Sequence, residues 1–334
     1  MLRDEITILP MFFAHYRAIG IKQFIIVDNG SSDGSTEFLL QQPGCFLLYT
    51  NDSFRENGFG VGFQNKALEI AGFTGWILIV DADEFLVYED MENQPIAYLV
   101  NKMKEADTLY AIMLDVYPDT DPLKYELPDN KSIFDGFWFD KDYIFRRWPI
   151  APWRRASSFF ALDVIGGPRF RILYTLRFVE KLGFFYNAIV NRIDLFINRV
   201  PAFLVPILAR IWPSEAPSMQ KRPLNLVKDN FRIFNNHSNS NMNVAPFVVA
   251  LVHIKFCSDL KKRFKMVSVE QNHYRRGLHY FQLSYALRRL AGRSLIYDGS
   301  IKLQSSDDLL RAGLIGKVPA SIWSTEDIGD AVVE

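Results

Sequence analysis

Only two cysteines, Cys45 and Cys257, occur among 334 residues. They stand far apart and outside any metal-ligand spacing, so a disulfide framework is excluded and a reducing compartment is expected. Net charge is missing too, since 38 Lys+Arg balance 38 Asp+Glu. That balance removes the electrostatic case for a nucleic-acid partner, leaving only local basic patches. No window reaches the roughly 18 uninterrupted apolar residues of a membrane span. The opening MLRDEITILPMFF carries charges of both signs and lacks the apolar stretch of a signal peptide. Internal repeats and low-complexity segments are absent. These absences together predict a cytoplasmic protein.

What is present is apolar material. Hydrophobic residues make up 49% of the chain and aromatics 14%, enough to bury a large core as one big domain or two smaller ones. Up to residue 115 the pattern alternates between two periods. Leu9, Phe12, Phe13 and Tyr16 recur at helical spacing, with Gly20 placed to end the helix. FIIV (24–27), FLLY (46–49), Trp76–Val80 and LYAIML (109–114) read as buried strands. Helices are expected near 63–72 and through Ile96, Leu99, Val100 and Met103. Strands alternating with helices predict a mostly parallel α/β sheet covered on both faces.

Beyond Val116 the pattern loosens. Residues 117–158 are rich in Pro, Asp, Trp and Phe and read as loops over a site. Residues 178–212 mix apolar side chains and arginines at helical spacing, broken by Pro201 and Pro206. They fit a helix packed on the core, or one lying on a membrane or partner surface. Helical patterns return near 258–268 and 279–290.

Two predicted strands run into polar clusters, and ligands of open parallel sheets bind at strand carboxyl ends. FIIV leads into DNGSSDGS (28–35) and WILIV into DADE (81–84). On an extended segment Asp81 and Asp83 share a face. Two close carboxylates resist ionising unless a cation lies between them. Oxygen-only ligation favours Mg²⁺ or Mn²⁺. Glu84 faces the other way and is expected to support the site. In the first cluster Asp28 can accept from a base N–H or a ribose hydroxyl. Gly30 and Gly34 permit a tight loop, and Ser31, Ser32 and Asp33 suit turns and caps.

With these segments in order, and LDVY (114–117), GGPRFR (166–171), KRPL (221–224) and LVHIKF (251–256) following, the chain resembles glycosyltransferase family 2-like proteins. The resemblance covers most of the chain. It implies the Rossmann-like GT-A fold, with a nucleotide-sugar-binding core over 1–175 and a mostly helical part over 176–334 completing the acceptor side. It implies inverting transfer from a nucleotide-diphospho-sugar, a UDP-sugar for preference, to a saccharide or lipid-linked acceptor, with Mn²⁺ or Mg²⁺ as cofactor. Polysaccharide or lipopolysaccharide assembly is the natural setting, with peripheral contact at the inner face of the membrane through 178–212. Under the resemblance Asp28 holds the nucleoside, joined at the donor by Asn29, Asp33, Arg55, Asn65 and Lys255. Asp81 meets ribose, diphosphate and metal, and Asp83 and His253 join it on the metal. Asp115 is the reachable candidate for the base that deprotonates the acceptor, with Asp119, Asp121 and Asp135 in the adjoining loop. Family members carry a first strand before the position of Arg3-Asp4-Glu5, where this chain has only Met1 and Leu2. An exposed strand edge is expected there.

The remaining signals leave alternatives open. Arg169 and Arg171 suit phosphate or surface ion pairs. Trp138, Trp148 and Trp153 suit sugar stacking or core packing. His15 reads as structural, and His237 as a loop residue that can order over the donor. A nucleotidyltransferase and a donor-fold protein without turnover are the competing functions.

Overall fold

The computed structural model describes residues 1–129, 131–147, 162–173, 200–210, 218–235, 237–241, 243–256, 260–270, 274–290 and 292–317. Most of the 178–212 segment, along with Trp148 and Trp153, lies outside the described residues.

The elements of the first third follow the periodicities. Helix α1 (Leu9–Ala18) starts with Pro in its first turn and buries Leu9, Met11, Phe12, Phe13 and Tyr16. It ends at Gly20, whose φ of 97° is the left-handed conformation that glycine adopts freely. There follow β1 (Phe24–Asp28), α2 (Ser35–Leu40), β2 (Cys45–Tyr49), α3 (Val61–Ala71), β3 (Gly75–Leu78), β4 (Glu84–Val87), α4 (Ile96–Met103), β5 (Thr108–Pro118) and β6 (Phe137–Asp140). The later elements are β7 (Tyr143–Arg147), β8 (Leu162–Gly166), α5 (Gly167–Leu173), α6 (Val205–Leu208), β9 (Gln220–Lys221), β10 (Leu224–Val227), β11 (Ile233–Asn235), β12 (Ser238–Asn239) and β13 (Val244–His253). Last come α7 (Leu260–Glu270), α8 (Leu278–Arg289), β14 (Ser300–Leu303), α9 (Ser306–Arg311) and β15 (Gly316–Lys317).

Strand pairing corrects the expected sheet. The main sheet has nine strands, centred on β5, whose residues are all buried. β5 pairs in parallel with β13 and antiparallel with β10, β9 and β6. β13 in turn pairs antiparallel with β4 and β15. Among the described residues parallel pairing is otherwise confined to β1 with β2, a separate two-stranded sheet, and to a bridge between Leu2 and Asp28. The fold is therefore mixed α/β with a mostly antiparallel sheet. The reason is physical: successive strands are parallel neighbours only if nothing comes between them, and β10, from the second half of the chain, lies between β3 and β5.

That insertion also changes the burial of the WILIV strand. β3 is the end of its row with β10 as neighbour, and Trp76 to Val80 are half-buried rather than buried. Leu2 is held to the β1 edge by its amide, which donates to Val27 O at 2.9 Å, and by its carbonyl, which accepts from Asn29 N at 3.0 Å. The second half of the chain is not helical alone, because β9, β10 and β13 complete the same sheet. Among the described residues no helix is long and apolar enough to cross a membrane.

Candidate active site

Sheet register gathers the charged side chains. In β13, His253 lies opposite Asp115 of β5 on one side and Glu84 of β4 on the other. Residues paired across strands project to the same face. Lys221 of β9 is paired with Ala111, four residues before Asp115 on the same strand, and the period of 2 places it on that face too. Four strands distant in sequence thus deliver a histidine, a lysine and two carboxylates to one surface of the sheet. Helix α1 fixes the β4 contribution: Tyr16 donates to Glu84 O at 2.8 Å, and His15 Nε2 lies 2.9 Å from Leu86 O.

The cluster is a chain of paired charges. His253 Nδ1 is 2.7 Å from Asp115 Oδ1, and Nε2 is 3.4 Å from Asp83 Oδ2. Arg169 donates through Nε and Nη2 to the two Asp115 oxygens. Arg263 donates to Asp83 Oδ2 at 3.2 Å and to both Glu5 oxygens, at 2.9 and 2.6 Å. Lys221 Nζ holds Asp81 at 3.0 Å and Glu84 at 2.7 Å, and Glu84 accepts the Asp81 amide at 2.9 Å. Lys255 donates to the Tyr280 hydroxyl at 2.9 Å.

These pairs shift the proton equilibria. Burial opposes charge on His253, but Asp83 and Asp115 overcome it and raise its pKa to about 9. Burial also opposes charge on Asp115, yet Arg169 and then His253 hold its carboxyl down at about 2. Asp83 lies well below the usual carboxylate range because His253 and Arg263 outweigh its burial. Asp81 is lowered by Lys221 against the same opposition. Glu5 goes the other way, with burial pushing it up to about 7 against the pull of Arg263.

Several of the expected site residues are engaged within the protein by these contacts. Asp115 does not end its strand: β5 continues to Pro118, and the carboxylate is fully buried with both oxygens taken by cations. A carboxylate held near 2 is a poor proton acceptor, and its contact with His253 orients that ring. Asp28 is fully buried as well, accepting from the Ser31 amide and hydroxyl and from the Thr36 hydroxyl. Its oxygens brace the loop that follows β1. Asn29 spends its amide nitrogen on Thr50 O and Asp52 O. Asp33 caps Ile6, and Ser35 twice. Asn65 clamps the Ile233 backbone in both directions, joining α3 to the β11–β12 hairpin. Arg55 is an exposed loop residue apart from the cluster.

The metal reading was tested on the donor set. Asp81, Asp83 and His253 are neighbours, but Asp81 already holds Lys221, and one Asp83 oxygen holds both Arg263 and His253. Among the described residues no three acidic, histidine or cysteine side chains are arranged to hold a metal ion. In this arrangement the Oδ2 atoms of Asp81 and Asp83 are already held by protein cations. Glu84 braces the Asp81 loop by accepting the Asp81 amide.

Lys255 extends beyond the end of β13 to Tyr280, so it does not share partners with His253. Arg169 and Arg171 lie on α5, where two residues apart means different faces; they pair with Asp115 and Asp140. Trp138 is in β6, half-buried against the core. His237 turns Nδ1 to Gln220 O. Sequence reasoning gave no site role to Lys221, Arg263 or Tyr280. Lys221 stands in the KRPL segment, whereas Arg263 and Tyr280 carried no local signal.

No protein-family model matches the chain, and neither does any curated protein or solved structure.

Proposed function

We propose that the chain is a glycosyltransferase that moves a sugar from a nucleotide-diphospho-sugar to an acceptor hydroxyl. The observation that carries this reading is the paired charge cluster on one sheet face, ending at Asp81, whose side chain is 42% exposed. Such a fixed array is suited to a reaction in which charge moves, because its dipoles need no reorganisation when the transition state forms. A departing diphosphate needs positive charge, and Lys221, Lys255 and Arg263 provide it. The Asp115–His253–Asp83 chain keeps the Asp83 carboxylate ionised and oriented beside them.

The acceptor hydroxyl must lose a proton as it attacks the anomeric carbon. Glu5 takes that role in this reading. Its pKa of about 7 suits transfer near neutral pH, and its side chain remains 17% exposed, whereas Glu84 is enclosed at 1%. The bond from the anomeric carbon to the diphosphate oxygen breaks as the new glycosidic bond forms on the opposite face. The acceptor proton passes to Glu5.

The test is release of UDP from a panel of UDP-hexoses in the presence of saccharide acceptors, comparing wild type with Glu5→Gln. Transfer that falls about 100-fold or more in the variant agrees with general-base loss; unchanged transfer removes Glu5 from the mechanism. A second reading, donor binding without turnover, is favoured by the internal engagement of Asp28 and Asn65. UDP binding with no transfer to any acceptor would select it.

A further inference from the structure

β2 pairs in parallel with β1, and the two form a sheet of their own. Two hydrogen bonds fix which backbone groups face β1. Phe24 N donates to Gly44 O at 2.9 Å, and Thr50 N donates to Asp28 O at 3.0 Å. The even-numbered residues of this stretch therefore face β1. By the alternation of a strand, the amides and carbonyls of Leu47 and Tyr49 face away from it, as does the Cys45 carbonyl. Among the described residues no further strand pairs with this outer edge.

Edge strands are commonly blunted by Lys, Pro or a bulge. The β2 sequence CFLLY carries neither charge nor proline, and it keeps one register with β1 throughout. Its exposed side chains are large: Phe46 is 48% and Tyr49 56% exposed, and Leu40, at the end of the adjoining α2, is 72% exposed. The strand also complements itself, as an isologous contact requires. An antiparallel pair centred on Leu47 sets Leu47 opposite Leu47, Cys45 opposite Tyr49 and Phe46 opposite Leu48. The Leu47 residues then exchange N–H···O bonds, and each Tyr49 amide donates to the Cys45 carbonyl of the other copy. Small Cys45 faces large Tyr49, while Leu48 covers the exposed Phe46 ring.

The flanking charges favour the same arrangement. Arg17 is exposed at one end of the strand, where it donates to Gln42 Oε1 and Pro43 O, each at 3.0 Å. Asp52 is exposed just past the other end. Antiparallel pairing brings each Arg17 to the end that carries Asp52 of the second copy, whereas parallel pairing would set like charges side by side.

We infer that β2 is a self-association edge, to which a second copy of this chain adds its own β2, antiparallel and centred on Leu47. The result is a continuous sheet in the order β1–β2–β2–β1. This inference is independent of the transferase reading. A strand pair this short buries little area, so the dimer dissociates on dilution.

Sedimentation equilibrium of the full chain, with disulfide trapping, tests it. As concentration rises, wild type should pass from 38.6 kDa toward twice that mass. Tyr49→Pro removes an outward amide but leaves the β1-facing groups of Leu48 and Thr50 intact. It should weaken association about tenfold or more, with a matching thermal transition showing that it folds. Tyr49→Cys tests the register, because it sets a thiol opposite the natural Cys45 of the second copy. The Cα spacing of such a hydrogen-bonded pair, about 5.5 Å, is within disulfide range. Oxidation should give a covalent dimer in Tyr49→Cys and none in Tyr49→Cys/Cys45→Ser. If Tyr49→Pro lowers the thermal transition, the trapping pair decides. A wild-type chain that stays monomeric up to about 0.1 mM overturns the proposal. So does a folded Tyr49→Pro variant that associates as wild type does. Failure of Tyr49→Cys to cross-link, or a cross-link that survives Cys45→Ser, overturns it as well.

Discussion

Asp115 has no exposed surface and holds two cations, and this makes its replacement informative. Asp115→Asn leaves Arg169 and His253 with a neutral partner in a buried site, which costs about 3–5 kcal/mol by the usual measure of a broken buried pair. Denaturant unfolding should show that loss. Histidine NMR titration should show His253 falling from about 9 toward its ordinary value, because Asp115 is one of the groups that raise it. His253 unmoved by the substitution would contradict the positioning role. His15 supplies a test of opposite sign. Burial lowers its pKa from 6.5 to about 4, with only the Leu86 carbonyl opposing. Between those values the unfolded chain binds a proton that the folded chain does not, so this contribution to stability is full above 6.5 and lost as pH falls toward 4. His253 acts in reverse, its contribution being full below 6.5 and lost as pH rises through about 9. The difference in unfolding free energy between wild type and His15→Gln should therefore shrink between pH 6.5 and 4. A constant difference would refute the buried neutral histidine.

Elements were legible where the signal was local. The stripe through Leu9, Phe12, Phe13 and Tyr16 is α1, and FIIV, FLLY and LYAIML are β1, β2 and β5. Their neighbours were not legible, because period 2 marks a strand without naming the strand beside it. Three of the segments that flank β5, namely β9, β10 and β13, lie more than a hundred residues downstream, and four-residue β10 and two-residue β9 are too short for a pattern. The same limit hid the cluster. DADE was visible as a site because its acids are consecutive, whereas the Arg263–Glu5 contact spans 258 positions. Asn65 illustrates the difference between a conspicuous position and its task. Its amide is the tie between α3 and the β11–β12 hairpin. Asn65→Ala removes both hydrogen bonds and leaves the Ile233 backbone groups without that partner, at a cost of about 1–3 kcal/mol. Hydrogen exchange should quicken at 233–239 while β5 and β13 stay protected. Uniform quickening across the sheet would mean that the hairpin is not an independent unit.

At the scale of the molecule, a chain with no net charge brings a balanced set of charged side chains together. Five carboxylates (Glu5, Asp81, Asp83, Glu84 and Asp115) meet five cationic side chains (Arg169, Lys221, His253, Lys255 and Arg263) around one sheet face. Buried ion pairs of this kind add little net stability; on the proposed reading they serve chemistry done on charged groups. The central claim is that protein cations, not a metal ion, neutralise the donor's diphosphate. Titration calorimetry of the wild-type chain with UDP, in EDTA and again with Mn²⁺, tests it most directly. The account predicts binding in EDTA that added Mn²⁺ leaves unchanged within about twofold, a difference of less than about 0.5 kcal/mol. UDP binding that vanishes in EDTA and returns with Mn²⁺ would contradict it.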